Sequence, residues 1–163
     1  MRRLREGDAV PDFTLTRQDG GRITAADLQG RHTIVTFIFS RCPVPEFCPL
    51  IGRKFQALQR ELPTIAKEVR LLSITIDPEY DQPAILREYG KSLDADFSRW
   101  SFATGSSAQI EQLARLFAVR IERNSGSLDH ALATALIGPD AKVIEIWRGN
   151  AWKPEGILAR IRG

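Results

Sequence analysis

The run Thr33-Ile34-Val35-Thr36-Phe37-Ile38-Phe39 constrains this chain more than any other segment. It is apolar on both faces, so as a strand it belongs in the middle of a sheet covered on both sides. Two cysteines follow at once, Cys42 and Cys48, separated by Pro43-Val44-Pro45-Glu46-Phe47 and each followed by proline. Pro49 then opens a helix. Ile51, Phe55, Leu58 and Leu62 recur at spacings of four, three and four, which makes one apolar face, and Pro63 ends it. This pattern predicts Cys48 at the N-cap and Pro49 at the first helical position. A helix N-terminus favours a thiolate there. A central strand that delivers two thiols to the start of a helix predicts a redox or soft-metal site.

The rest of the chain alternates strand and helix signals. Phe13-Thr14-Leu15, the turn Asp19-Gly20-Gly21 and Arg22-Ile23-Thr24 predict a small N-terminal β-hairpin. Ala25–Leu28 is at most a helical turn. Residues 69–76 form a second buried strand, broken by Asp77-Pro78, and a helix follows from Pro83 to about Tyr89. Trp100–Ala103 is a short strand. Ser106 and Gln109 make a capping box ahead of a helix that buries Ile110, Leu113 and Phe117. Residues 124–127 read as a loop leading through Leu128-Asp129-His130 into a strand that ends at Ile137. Residues 142–147 form its antiparallel partner, and a last helix runs from about Pro154 to Ile161. That order predicts one α/β domain over residues 1–163, with a mixed central sheet flanked by helices.

Composition narrows the function. With 43% hydrophobic residues in 163, the chain can bury a core without staples. A disulfide closing so short a cysteine loop would contribute only about 2 kcal/mol, which argues for a functional pair. The net charge is +3, with 23 basic residues interleaved with 20 acids, so no nucleic-acid stripe stands out. The basic balance would help the protein meet an acidic partner. No apolar stretch is long enough to span a membrane. The start, Met1-Arg2-Arg3-Leu4-Arg5, lacks the apolar region of a signal peptide.

Several segments together resemble the Sco/SenC/PrrC family. They are Thr36-Phe37-Ile38-Phe39-Ser40-Arg41-Cys42-Pro43 with Cys48-Pro49, Ile74-Thr75-Ile76-Asp77-Pro78-Glu79-Tyr80-Asp81, and Leu128-Asp129-His130 before the strand ending Ile137-Gly138-Pro139-Asp140. The opening Gly7–Phe13 is similar to the start of many thioredoxin-like domains. The resemblance implies a thioredoxin-like fold and one copper ion held by Cys42, Cys48 and His130. It implies a role in assembling the CuA centre of cytochrome c oxidase, whose copper-bearing subunit would be the partner. It also implies work in a periplasmic or other extracytoplasmic space, tethered through a segment absent from this chain. The family spacing is Cys-x-x-x-Cys, whereas five residues intervene here. Thiols at i and i+6 do not share a helical face, so Cys42 must turn back toward Cys48 through the proline-stiffened loop.

The donor chemistry agrees with copper. Thiolates suit Cu(I), and imidazole suits both oxidation states. Zinc generally takes a fourth ligand, and neither a third cysteine nor a good second histidine is present. A thiol-disulfide oxidoreductase using only Cys42 and Cys48 is the alternative. The sequence does not rank the two sulfurs as nucleophiles. Thioredoxin-like oxidoreductases commonly place a cis-proline before the strand facing their cysteines. Here that stretch reads Asp129-His130-Ala131, which favours metal. A peroxiredoxin pattern, Pro-x-x-x-Thr-x-x-Cys, fits neither cysteine.

Other residues carry weaker signals. Asp129 either orients His130 or stabilises its loop. Asp77 holds the turn at Pro78, and Asp81 helps start the following helix. Arg41 either tunes the neighbouring thiol, meets a partner or is solvated. Phe47 either docks a partner or folds back over the site. His32 reads as a surface residue, and Trp147 and Trp152 as packing.

Overall fold

The structure, a computed structural model, describes residues 2–124, 127–129 and 132–163. The N-terminal hairpin forms as β1 (Thr14–Arg17) and β2 (Arg22–Thr24), and Gly20 supplies the left-handed turn at φ +83°. Ala25–Leu28 is a single 3-10 turn, as expected. The apolar run becomes β3 (His32–Ile38), buried from Thr33 onward. Then α1 (Cys48–Glu61) buries Cys48, Ile51, Phe55 and Leu58, and a 3-10 turn at Leu62–Thr64 ends it. The helix begins one residue earlier than the proline predicts. Phe47 is the N-cap and Cys48 the first helical residue, because proline is tolerated at either of the first two positions, where its missing N–H costs nothing.

The order continues with β4 (Val69–Thr75), α2 (Pro83–Ser92), β5 (Trp100–Thr104) and α3 (Ser107–Leu116). The Ser106–Gln109 capping box is present in full. Gln82, not Asp81, is the N-cap of α2. The two ends of the stretch read as a loop, Asn124 and Ser127, belong to a two-stranded antiparallel ribbon, β6 (Glu122–Asn124) and β7 (Ser127–Asp129). Its Asn-Ser-Gly-Ser centre is a turn signal, and the three-residue strands on either side are too short to show alternation. The chain ends with β8 (Ala133–Ile137), β9 (Val143–Arg148) and α4 (Pro154–Arg162).

Seven strands form one mixed sheet in the order β2-β1-β5-β4-β3-β8-β9. The hairpin extends it beyond β5. β3 runs parallel to β4 and antiparallel to β8, and β4 runs parallel to β5. On one face Phe55 of α1 lies 5.7 Å from Trp100, and Tyr89 of α2 lies edge-on to Phe102 at 5.9 Å. α4 packs beside α1 there. On the other face Phe117, just after α3, meets Phe37 at 5.5 Å. Each layer buries an apolar stripe against an apolar sheet face, which is what a central strand without a polar side requires.

Register places the candidate site. Ile38 pairs with Thr75, so β3 and β4 end level, and Ser40–Cys48 and Asp77–Asp81 emerge side by side. Thr36 lies opposite Thr134 and Ala133 opposite Arg148, so the start of β8 and the end of β9 reach the same edge. Open α/β sheets bind ligands at the carboxyl ends of their parallel strands.

Candidate metal and redox site

The cysteine loop is a series of tight turns. Cys42 N–H donates to the Phe39 carbonyl at 3.2 Å, Phe47 N–H to Val44 at 3.0 Å, and Leu50 N–H to Pro45 at 3.1 Å. These turns do what the sequence demanded of a six-residue offset and bring the two sulfurs together. The Cys48 thiol is hydrogen-bonded to Cys42. Cys48 is 1% exposed and Cys42 half-buried, and both are thiols.

That arrangement overturns the expectation of a helix-stabilised thiolate at Cys48. The hydrogen bond to Cys42 and burial push the Cys48 thiol well up, against backbone N–H groups of Phe39 and of Cys48 itself that favour the anion. A helix N-terminus contributes about 0.3–1 kcal/mol, too little to offset desolvation of a fully buried sulfur. Cys42 is therefore the outer sulfur and Cys48 the inner one. Limiting iodoacetamide under reducing, metal-free conditions should label Cys42 at least about tenfold faster than Cys48. Peptide mapping of the first adduct checks this, and equal labelling would contradict the ranking.

Two buried carboxylates hold the base of the loop. Asp81 is 0% exposed, and its Oδ2 accepts from Ser40 N–H at 3.0 Å and from Thr75 Oγ at 2.6 Å. Ser40 Oγ donates to the other oxygen, Oδ1. Asp81 thus ties the cysteine loop to the end of β4. Asp77 accepts from Arg41 Nε at 3.0 Å and Nη2 at 2.8 Å, while its own N–H donates to Thr75 Oγ. Its backbone carbonyl accepts from Tyr80 and Asp81, so it also holds the turn, as expected. Arg41 is paired with Asp77 and lies 4.2 Å over the Tyr80 ring.

The far side of the loop is braced from the β9–α4 connection. Asn150 Nδ2 donates to the Glu46 carbonyl at 2.8 Å, and Lys54 of α1 donates to the carbonyls of Asn150 and Trp152. Trp152 packs edge-on to Phe55, in line with a packing role, and Phe47 folds back onto the core. Trp147 is partly buried against the same core. His32 is half-buried at the opposite end of β3 rather than on the surface.

Sequence reasoning missed Ser40, Thr75 and Tyr89 altogether. Tyr89 sits on the inward stripe of α2 with Leu86 and Gly90. Burial, and beyond it the charges of Cys48, Cys42 and Asp81, push its phenol up. The inward spacing of Leu86, Tyr89 and Gly90 could have flagged it, but the long-range contact of Asp81 with Ser40 had no local signal.

Of the three ligands the resemblance implies, the structure brings Cys42 and Cys48 together. His130 lies outside the described residues, two positions before Leu132, where the described chain resumes on its way into β8. Asp129 ends β7 opposite Glu122. Among the described residues no group of three or more His, Cys, Asp or Glu side chains could hold a metal. None of the described helices is long and apolar enough to cross a membrane.

A parallel β3–β4 core, antiparallel β8 and β9, and a cysteine pair leading into α1 define a thioredoxin-like protein with its dithiol at the sheet edge. The SCO1/SenC family model matches residues 2–163, and the chain belongs to that family. A SCO1 protein homolog of Bacillus subtilis is 31% identical over 144 residues, covering 86% of this chain and 74% of its own. Among solved structures, Arabidopsis thaliana ScoI with copper bound matches at a TM-score of 0.81 and 25% identity, covering 97% of this chain and 96% of its own. BsSco, a Sco-family cytochrome c oxidase assembly protein with a disulfide switch, matches at 0.82 and 28% identity, covering 99% and 95%.

Proposed function

We propose that this chain carries a copper ion as cargo on Cys42, Cys48 and His130 and delivers it to the copper-bearing subunit of cytochrome c oxidase during assembly. The observation that carries this is the meeting of the two sulfurs despite five intervening residues. Two adjacent thiolates are a soft pair suited to Cu(I), and an imidazole completes a three-ligand set. The copper-bound Arabidopsis relative supports the choice of metal. Cys42, the outer sulfur, is the ligand an acceptor reaches first, and Cys48 is the inner anchor. Work outside the cytoplasm belongs to the same reading.

X-ray absorption on the reduced chain loaded with one equivalent of copper tests the ligand set. Two sulfur donors and one imidazole are expected. A sphere without sulfur, or without imidazole, overturns it.

The same pair supports a second reading, favoured by the hydrogen bond between an outer and an inner thiol and by the disulfide switch of BsSco. The Cys42 thiolate would attack a partner disulfide, forming a mixed disulfide and releasing one partner thiolate. The Cys48 thiolate would then displace the second. Two electrons pass to the partner, whose two thiolates take up the two protons given up by Cys42 and Cys48.

A further inference from the structure

The connection from β9 to α4, residues 149–153, is bonded to three separate segments of the candidate site. Gly149, at φ +77°, turns the chain out of β9, and its N–H donates to the Leu132 carbonyl at 3.0 Å. Leu132 follows His130 by two positions and leads into β8. Asn150 Nδ2 donates to the Glu46 carbonyl of the cysteine loop at 2.8 Å. Lys54 of α1 donates to the carbonyls of Asn150 and Trp152, and its ammonium lies 4.9 Å over the Trp152 ring. Lys54 and Cys48 belong to the same helix. The backbone at Asn150 is thereby fixed to the helix of Cys48, and the half-buried Asn150 side chain reaches from that fixed point to the loop that carries Cys42. Cys42 thus lies between two tethers, Ser40 held by Asp81 on one side and Glu46 held by Asn150 on the other. Glu46 is one of the five residues that separate the cysteines. Closing a loop costs conformational entropy, and a tether within it removes part of that cost before the sulfurs meet.

We infer that Asn150, anchored through Lys54, is a positioning residue for the dithiol: it holds the cysteine loop closed and so sets the equilibrium between the dithiol and disulfide forms of Cys42 and Cys48. It acts through the Glu46 carbonyl. On oxidation an S–S bond forms between the two sulfurs, and two electrons and two protons leave them. The disulfide of the oxidant takes these up and becomes two thiols. A loop closed beforehand raises the effective concentration of one thiol at the other and favours the disulfide. A loosened loop favours the dithiol, because oxidation must then also close it. A residue that served the fold alone would stabilise both forms alike and leave this equilibrium unmoved.

The test equilibrates the metal-free chain, without oxygen, in mixtures of oxidised and reduced dithiothreitol. Alkylation and mass measurement give the fraction of Cys42 and Cys48 present as disulfide. Asn150→Leu keeps the size of the side chain and removes the donor, and Asn150→Ala removes the donor without adding an apolar group. Each should lower the equilibrium constant for disulfide formation by at least about threefold, the worth of one amide–carbonyl hydrogen bond. Lys54→Met frees the connection at its helix end and should shift the equilibrium in the same direction. The double variant of Lys54→Met with Asn150→Ala should move it little beyond the larger single shift, because both cut one tether. A parent-like equilibrium in both Asn150 variants would overturn the assignment, even if urea unfolding showed both redox forms equally weakened. Fully additive shifts would overturn the shared tether from Lys54. No copper is present, so failure here leaves copper delivery standing, and failure of copper delivery leaves this equilibrium to be read as before.

Discussion

Replacing Asp81 with alanine should lower the stability of the reduced, metal-free chain by about 3 kcal/mol, among the largest effects of any single substitution. The carboxylate is entirely buried and accepts from Ser40 N–H, Ser40 Oγ and Thr75 Oγ. Alanine leaves these donors facing a void at the junction of the cysteine loop and β4. A buried donor without a partner costs about 1–3 kcal/mol, and the hydrogen bonds lost are to a charged group. Asp81→Asn keeps the shape and one acceptor oxygen, so about half that loss is expected. Urea unfolding of the parent and both variants checks the order. A loss below about 1 kcal/mol for Asp81→Ala would mean that the carboxylate is not the tie the geometry makes it. The same substitution frees Ser40, two residues before Cys42, so it should also broaden the separation of the two sulfurs.

Replacing His130 with alanine separates the two readings of the cysteine pair. In a three-ligand site the imidazole is one donor in three, and its loss should weaken copper binding by more than the ~10–100-fold that follows loss of an outer-shell partner. Disulfide exchange uses Cys42 and Cys48 alone and should continue at close to the parent rate. Copper competition and turnover of a small disulfide, measured on one preparation, give the comparison. Copper bound as tightly as by the parent would remove His130 from the site. Parallel loss of both activities would make His130 a structural residue.

Much of the fold was legible because its signals are local. The doubly apolar run specified β3, the 4-3-4 spacing after Pro49 specified α1, and Ser106 with Gln109 marked the start of α3. The cysteine pair was legible for the same reason: both residues are adjacent to strong elements, and the prolines required a turning loop. What escaped was non-local. Asp81 looks like a helix-start residue in sequence, yet its partners are Ser40, 41 residues away, and Thr75. Arg41 looks like a free charge until Asp77 is seen opposite it. Cys48 looks like an activated thiol from its helix position, and only its burial against Cys42 reverses that. The β6–β7 ribbon escaped because three-residue strands carry almost no periodicity.

Anaerobic titration of the fully reduced chain with cuprous ion, competed against a chelator of known affinity, tests copper binding at this dithiol most directly. One tight equivalent per chain is the predicted result, lost in both Cys42→Ser and Cys48→Ser. Weak binding, or a tight equivalent that survives either substitution, would contradict it and leave Cys42 and Cys48 as a redox pair alone.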